Sequence, residues 1–223
     1  MRSLSRSGVA VQAELGPRVR RLHRRIARAH RRAEGMALSR QMLAGEASPR
    51  QIAGLMRALS PAYRLLETLT PSIAKAFNSS AIPWTDLSRA AAFNHDLSTF
   101  SCSLQTPPSA ASQEWQRQIR LLIAENPHRL LAHVYIRYGG DLSGGQALGR
   151  QVNHTLQLAG YRSLIFWEFP RSVSLLKEQF HQGFEQLQLT EQQDMDLLDE
   201  TENAFHLTQS LLSELADLTP ASA

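Results

Sequence analysis

The chain has 223 residues, a formal net charge of +4 and 43% hydrophobic residues. This length and apolar content allow one domain with a full core and exclude a globally disordered protein. A single cysteine, Cys102, excludes a disulfide framework and a cysteine-rich zinc site, and it makes a reducing cytoplasm the expected location. No apolar run reaches the roughly 18 residues that a membrane span needs, so no span is predicted.

The first 32 residues are strongly basic, since they contain ten arginines and one acidic residue, Glu14. This pattern fits either a solvated helix face or a basic surface for an anionic ligand or an acidic protein partner. Nucleic-acid binding is not predicted, because no aromatic residue accompanies the arginines before Tyr63.

The chain is expected to begin with a disordered tail over residues 1–16, a stretch rich in serine and glycine. Pro17 suits the first turn of a helix. Apolar residues then recur every three or four positions as far as Leu43, which predicts one long amphipathic helix that Gly45 ends.

The sequence SPRQ at 48–51 resembles a helix start, with a serine cap and Pro49 in the first turn. The second helix is predicted to run from there through Leu66, with a kink at Pro61. Residues 70–83 are expected to form a broken connector.

Helical periodicity continues through the rest of the chain, and no segment alternates apolar and polar residues as a strand would. We therefore predict an all-α, single-domain protein of about eight helices that spans residues 17–218, with a short tail at 219–223. The further predicted helices lie at residues 84–100, 114–123, 130–158 and 176–184 and after Thr190.

The stretch YGGDLSGGQALGR, residues 138–150, places five glycines inside a predicted helix. Each glycine costs about 1 kcal/mol relative to alanine in a helix interior. A close helix–helix crossing would explain one or two of them, whereas five favour a large, flat group pressed against bare backbone. The five are Gly139, Gly140, Gly144, Gly145 and Gly149.

The letters LSGGQ within this stretch are also the signature of ABC transporter ATPases. That signature acts together with a phosphate-binding loop of the form GxxxxGK[ST]. Neither lysine of the chain, Lys75 or Lys177, lies in such a context, and no strands are predicted. We therefore reject the ATPase interpretation.

The longer segment LLAHVYIRYGGDLSGGQALGR, residues 130–150, resembles the signature of the haem oxygenase family, approximately AHxYxRYxGDLSGGQ. The sequence HRRAE at 30–34 is similar to the HxxAE motif of the same family. The resemblance covers about residues 18–217, and it implies a helical bundle that holds haem between the first helix and a kinked, glycine-rich distal helix. Further similar positions are Gly45, Tyr63, Glu67, FP at 169–170 and AFHL at 204–207.

The resemblance implies that His30 is the proximal ligand of the haem iron. Glu34, one turn later, can reach back and orient the imidazole through a hydrogen bond. His23 lies two turns earlier on nearly the same helix face and is the alternative ligand. His133 lies in the signature, where the family's histidine is structural.

On the opposite side of the haem, the resemblance makes Asp141 the central distal group, which orders waters for proton delivery. An alternative role for Asp141 is to cap a helix after a glycine break. Gly140 and Gly144 would touch the porphyrin or line its distal pocket. The supporting polar residues are Arg137, Tyr63, Tyr135 and Ser143.

The haem propionates need cations at the open edge of the site. Lys177 and His181 share one helix face at i, i+4 and align with basic positions of the family, and Arg24 is a further candidate, as are its neighbours Arg20 and Arg28. Phe205 is expected to pack either on the haem edge or in the core.

The sequence departs from the family pattern at three positions near this site. His181 stands where arginine is common, His23 where lysine is often found, and Gly139 replaces a larger apolar residue. These departures leave open the in-plane orientation of haem and the meso carbon that is cleaved.

The implied reaction is cleavage of haem b, which is both substrate and cofactor, to biliverdin, CO and Fe(II) with O2 and electrons. The electrons would come from an acidic donor such as ferredoxin or an NADPH-linked reductase, and a biliverdin-using protein would act downstream. One alternative is a non-catalytic haem carrier on the same fold. Another is an interaction module that uses the arginine-rich helix.

Overall fold

Ten α-helices make up the described part of the chain, which is residues 15–100 and 104–218 of the computed structural model. These residues contain no strand, so the predicted all-α class is confirmed. Residues 1–14 of the tail predicted at 1–16, the tail predicted at 219–223 and Cys102 lie outside the described residues. The helices are α1 (Pro17–Glu34), α2 (Ala37–Ala44), α3 (Pro49–Ala76), α4 (Trp84–Leu87), α5 (Ala90–Thr99), α6 (Ala110–Glu125), α7 (Leu130–Asp141), α8 (Gly145–Leu158), α9 (Val173–Gln186) and α10 (Glu191–Ala216).

The single long helix predicted from Pro17 to Leu43 is wrong, because α1 ends at Glu34 and α2 begins at Ala37. The N–H of Gly35 still bonds to carbonyls of the last turn of α1, but Met36 has an extended backbone. The 3–4 apolar spacing continues across this break, so periodicity alone could not reveal it. Gly45 ends α2 with a φ of 77°, as its position predicted.

The predicted start of α3 is confirmed by a reciprocal cap. The Gln51 N–H donates to the Ser48 hydroxyl, and the Gln51 side chain accepts from the Ser48 N–H. The helix then continues through Pro61 and Pro71 to Ala76, so the connector expected from residue 70 is wrong. Burial on both sides of Pro71 stabilises this extension, since tertiary packing outweighs local propensity.

The helix predicted at 84–100 is divided into α4 and α5 because Glu67 of α3 binds the junction. Its carboxylate accepts bonds from the Ser88 hydroxyl at 2.8 Å and from the Arg89 N–H at 2.5 Å. It also accepts from the Ala90 N–H, so an acidic side chain from another helix satisfies the first turn of α5. Such a cap cannot be found from the sequence of the capped helix.

Helix α10 is a central packing element that contacts both α1 and α7. It begins at Thr190, as predicted, with a second reciprocal cap to Gln193. Three arginines of α1 form ion pairs with acidic side chains of α10, so part of the basic stretch serves helix packing. The pairs are Arg18 and Arg21 with Asp194, and Arg25 with Asp199 and Glu202.

A buried polar chain joins α6, α7 and α10. The Trp115 indole donates to Nδ1 of His133 at 3.0 Å, and Nε2 of His133 lies 3.1 Å from Oε1 of Glu200. Because Nδ1 accepts, the ring proton lies on Nε2 and points to the carboxylate. His133 is fully buried and both ring nitrogens have partners, which agrees with a structural role.

Candidate active site

A cavity of about 680 Å³ lies among α1, α2, α7, α8, α9 and α10. Its volume falls within the range of roughly 300–1,000 Å³ that is common for cofactor and ligand sites. Ten of the thirteen residues predicted for the site line this one cavity. They are His30, Glu34, Tyr135, Arg137, Gly140, Asp141, Ser143, Gly144, His181 and Phe205.

Two of the five glycines present bare backbone to the cavity. A Cβ atom added at Gly140 or Gly144 would meet no heavy atom within 4 Å, so the space in front of both residues is open. This geometry fits a flat group that lies against the backbone where α7 passes into α8. Gly139 is close to the same wall, where an added Cβ would be 3.7 Å from Phe180.

Gly145, which also lines the cavity, and Gly149, which does not, pack against Trp167, so the expectation that all five face a flat group is wrong. A Cβ at Gly149 would approach Trp167 to 2.7 Å, and one at Gly145 would approach it to 3.1 Å. Trp167, in the segment between α8 and α9, packs against α8, and this contact requires glycine at 149 and leaves little room for a side chain at 145. These glycines therefore make room for a side chain from a loop and not for a second helix, and the other half of the stretch faces the open cavity.

His30 presents its ring to the cavity from α1. Its Nδ1 atom lies 3.5 Å from Oε2 of Glu34, as the i, i+4 spacing predicted. This arrangement leaves Nε2 as the nitrogen available to a metal. Phe205 of α10 contacts the same ring edge-on at 6.1 Å, is buried and lines the cavity, so it belongs both to the core and to the site.

Asp141, Tyr63 and Arg137 form one buried hydrogen-bonded group. The Tyr63 hydroxyl donates to Oδ2 of Asp141 at 2.5 Å, and Nε of Arg137 donates to the Tyr63 oxygen at 3.2 Å. Burial raises the pKa of the Asp141 carboxyl, against the opposing effects of Arg137, Tyr63 and Arg89. Burial also raises the pKa of Tyr63 well above its ordinary value, so its phenol remains a donor.

The alternative role of Asp141 as a helix N-cap is wrong. Asp141 is the last residue of α7, and Leu142 caps that helix. The break that follows is short, since the N–H of Ser143 bonds to the Gly140 carbonyl and α8 begins at Gly145. The carboxylate is therefore free for the interactions with Tyr63 and Arg137.

Tyr135 lines the cavity but is not part of the Asp141 group. It lies six positions before Asp141, which turns it about 240° around the helix, whereas Arg137 is one turn away. Its ring stacks on Phe180 at 5.9 Å and meets Phe184 edge-on at 5.0 Å. The Tyr135 hydroxyl is buried and has no hydrogen-bond partner within the described residues.

The basic residues predicted at the cavity edge are only partly brought together. His181 lines the cavity beside His23, whereas Lys177 is half-buried one turn away and does not line it. Arg24 is exposed on α1 and has no ion-pair partner in the described part of the chain. His23, the alternative iron ligand, contacts Tyr135 and His181 instead of a carboxylate.

The residues from 19 to 214 match the family model described as Heme oxygenase. This chain belongs to the haem oxygenase family. The haem oxygenase of Takifugu rubripes is 32% identical over 197 residues, which cover 83% of this chain and 69% of that relative. Heme oxygenase 2 of Synechocystis is 27% identical over 201 residues, which cover 86% of this chain and 80% of the relative.

Two solved haem oxygenase structures share the fold. That from Leptospira interrogans has a TM-score of 0.77 and 27% identity, and the match covers 86% of this chain and 97% of that chain. Heme oxygenase-2 from Synechocystis, in complex with haem and NO, has a TM-score of 0.80 and 25% identity over 90% of this chain and 85% of that chain. The predicted family, fold class and haem oxygenase activity are confirmed.

Sequence reasoning missed two residues that support the site of this haem oxygenase. Arg89 is buried, and its guanidinium donates to the carbonyls of Phe166 and Glu168 at 2.9 and 2.6 Å. The charge of Arg89 also opposes the rise in the pKa of Asp141 that burial causes. No local sequence motif marks Arg89. The other is Trp167; glycines four residues apart on a helix indicate a close neighbour on that face, but they do not identify which residue it is.

Within the described residues, no helix is long and apolar enough to cross a membrane.

Proposed function

We propose that His30 binds the haem iron and that Asp141 controls proton delivery in the conversion of haem b to biliverdin, CO and Fe(II). The observation that carries this proposal is the meeting of three features in one cavity. The first is the imidazole of His30 on α1, with the Glu34 carboxylate beside it. The second is the open backbone at Gly140 and Gly144, and the third is the buried carboxylate of Asp141 at the end of α7.

Haem, when bound, supplies both the iron that activates O2 and the porphyrin that is cleaved. A neutral imidazole is the usual proximal haem ligand in proteins, and Nε2 of His30 is the donor atom available for this role. Glu34 would accept from Nδ1, which fixes the tautomer and the ring orientation.

Gly140 and Gly144 would let the porphyrin approach the distal backbone closely. No side chain occupies the space in front of these residues. None of the α7 and α8 residues that line the cavity is a histidine. Polar groups farther along α7 must act through water, which transmits hydrogen bonds nearly as well as a direct contact.

The hydrogen bonds around Asp141 have a defined direction. Arg137 donates to Tyr63, and Tyr63 donates to Oδ2 of Asp141. Oδ1 is 3.9 Å from Arg137, beyond hydrogen-bonding distance, so this oxygen can accept from a water in the cavity. The raised pKa of Asp141 brings the carboxyl nearer to neutrality and makes proton exchange with that water easier.

Electrons would come from an acidic donor protein, such as ferredoxin or an NADPH-linked reductase. Five arginines of α1 support this partner, because they are exposed and form no ion pair within the described residues: Arg20, Arg24, Arg28, Arg31 and Arg32. Arg31 also lines the cavity, which brings the basic surface close to the site. A cytosolic location stays a prediction that the single cysteine supports.

A reconstituted turnover assay tests the proposal. The purified chain is titrated with hemin, and ascorbate or ferredoxin with its reductase is then supplied in air. We expect a Soret band to form and then to decay as biliverdin and CO appear. A stable haem complex that survives reduction would support the carrier alternative, and a chain that does not bind hemin would contradict the proposal.

A further inference from the structure

The junction between α7 and α8, residues 142–144, has few side-chain contacts of its own. Leu142 is buried, but Ser143 and Gly144 are exposed. The space in front of Gly140 and Gly144 is open, and glycine gives the backbone more conformational freedom than any other residue. The junction therefore needs restraints from other parts of the chain if it is to keep one position.

Gln146, in the first turn of α8, connects this junction to the segment between α8 and α9. Its side-chain amide donates to the carbonyl of Asp141 at 3.1 Å and to the carbonyl of Trp167 at 3.0 Å. An amide nitrogen carries two N–H bonds, so it can donate to both carbonyls at once. Because both partners are acceptors, the contacts themselves fix the orientation of the amide. Gln146 thus ties the end of α7 to Trp167.

The backbone that carries Trp167 is in turn fixed to α5. We call residues 164–169 the strap. Asp96 of α5 is fully buried, and its carboxylate accepts from the N–H groups of Ile165 and Phe166 at 2.9 and 2.8 Å. Charge-assisted hydrogen bonds of this kind are stronger than neutral ones, so the strap has a firm attachment immediately before Trp167.

Two further side chains hold the strap on either side of that attachment. The Asn153 side chain on α8 forms a reciprocal pair of hydrogen bonds with the backbone of Leu164, at 2.9 and 2.8 Å. Arg89 donates to two carbonyls of the strap, and its guanidinium carbon lies 4.1 Å from the centroid of the Phe169 ring. The strap is therefore a rigid support, and Gln146 transmits its position to α7.

Asp141 is consequently held at two separate points. The Tyr63 hydroxyl binds its carboxylate, and Gln146 binds its main-chain carbonyl. The first bond orients the acid, whereas the second bears on the glycine-rich backbone that forms the cavity wall. Gln146 is not among the residues that line the cavity, so it acts only through the backbone that it holds.

We propose that Gln146 is a positioning residue, which keeps the distal backbone in one place for haem by tying Asp141 to the strap. The proposal rests on the proposed function, since it takes the open wall at Gly140 and Gly144 as the surface that haem contacts. A misplaced wall would still leave the proximal ligand His30 intact. Loss of the tie should therefore affect turnover more than haem affinity.

Hydrogen exchange of the haem-free chain tests the tie directly. The N–H groups of Leu142 and Ser143 bond to carbonyls of the last turn of α7, so their exchange reports opening of the junction. Gln146→Met keeps nearly the same side-chain length and removes both donors. We expect these two amides to exchange about tenfold faster, which is the usual effect of losing one or two hydrogen bonds on a local opening equilibrium.

Two more substitutions at the same position separate hydrogen bonding from shape. Gln146→Lys supplies donors without acceptors, so it should restore much of the slow exchange. Gln146→Glu is nearly isosteric, but its ionised form only accepts, so it should repel both carbonyls and exchange fastest. If Gln146 only filled space, the order would be reversed, with Glu and Met similar to the wild type and Lys fastest.

The hemin complexes connect the tie to turnover. The dissociation constant of Gln146→Met for hemin should stay within about threefold of the wild type, while biliverdin formation in a single turnover should slow by about tenfold through misplacement of the distal wall. Gln146→Lys should recover part of the rate. Gln157→Met is the matched control, because Gln157 is exposed on α8 and donates to Ser163, outside the strap, at 2.7 Å. It should match the wild type in every measurement.

The outcomes separate this inference from the proposed function. Unchanged exchange in Gln146→Met, or faster exchange with an unchanged rate of biliverdin formation, would overturn the inference while the wild type still bound and degraded hemin. A wild-type chain that bound no hemin would contradict the proposed function itself, before any variant was compared.

Discussion

The Tyr63 hydroxyl lies 2.5 Å from Oδ2 of Asp141, although the two residues are 78 positions apart in the chain. Tyr63 comes from the middle of α3 and Asp141 from the end of α7, so the contact exists only when these helices pack together. Tyr63 is fully buried and also meets the rings of Phe93, Tyr138 and Phe166 edge-on. Its hydroxyl therefore has a fixed position, and the Asp141 carboxylate is oriented by a rigid donor.

Asp141→Asn should bind hemin with a normal Soret band but form biliverdin about 10²-fold more slowly or worse, because the amide cannot exchange a proton. Tyr63→Phe removes the hydroxyl that orients Asp141 and accepts from Arg137, but it keeps the carboxyl and should reduce the rate less. Single-turnover absorption spectra with ascorbate measure both rates. Tyr161→Phe, a tyrosine remote from the cavity, is the control. A normal biliverdin yield from Asp141→Asn would remove this residue from the mechanism.

His30→Ala should abolish the normal ferric haem spectrum and turnover, since the iron loses its protein ligand. Added imidazole should restore part of the spectrum by occupying the space of the missing ring. Glu34→Gln should keep the ligand but weaken hemin binding by about 10–100-fold, the usual effect of removing a partner of a ligating histidine. Hemin titrations measure these effects, with His154→Ala as the control. Unchanged turnover in His30→Ala would reject the ligand assignment.

The glycine stretch predicts opposite effects on stability for two alanine variants. Gly149→Ala would place a methyl group 2.7 Å from Trp167 and should lower the free energy of unfolding by about 1–3 kcal/mol. Gly140→Ala meets no clash and should raise it by up to about 1 kcal/mol through better helix propensity.

For hemin affinity and turnover, the expected order of these variants is the reverse of their order in stability. Gly140→Ala and Gly144→Ala fill space in front of the distal backbone, so hemin affinity and turnover should fall. Gly149→Ala lies outside that space and should bind hemin well at temperatures where it remains folded. Urea unfolding of the haem-free chain and hemin titration measure the two quantities. Normal hemin binding by Gly140→Ala would mean that no flat group approaches there.

The ion-paired arginines and the unpaired arginines of α1 should respond differently to substitution. Arg28→Ser with Arg32→Ser removes exposed, unpaired charges and should slow association with a ferredoxin-type donor, most strongly at low salt. Stability should change by less than about 0.5 kcal/mol. Arg18→Ala should instead destabilise the fold, because the half-buried Arg18 guanidinium binds Asp194 and the Phe184 carbonyl.

Stopped-flow reduction of the hemin complex at several ionic strengths measures donor association. Arg120→Ser with Arg162→Ser, two exposed arginines outside α1, is the control matched for the loss of two surface charges. An equal effect of this double variant would mean that net charge matters and that the α1 surface does not dock the donor.

Features carried by neighbouring residues could be predicted from the sequence. The caps at Ser48 and Thr190 formed as their residues indicated, and Glu34 lies beside His30 at the expected spacing. These arrangements depend on one helix or one turn, so the local backbone geometry alone determines them. The signature segment identified the family for the same reason, since its residues are contiguous.

Two of the helix boundaries that were wrong involve contacts from other parts of the chain. The extension of α3 beyond Pro71 depends on burial, and the division between α4 and α5 depends on Glu67. Both effects come from residues distant in sequence, so no local pattern could reveal them.

The sequence by itself determined the helical class, the family and most members of the site, because periodicity and contiguous motifs are written into short stretches. Only the tertiary structure decided which glycines face the cavity and which pack on Trp167. It also turned Tyr135 away from Asp141 and brought it to His23 and His181. The physical reason is that helix packing selects the faces that meet, and a side chain's partners follow from that choice.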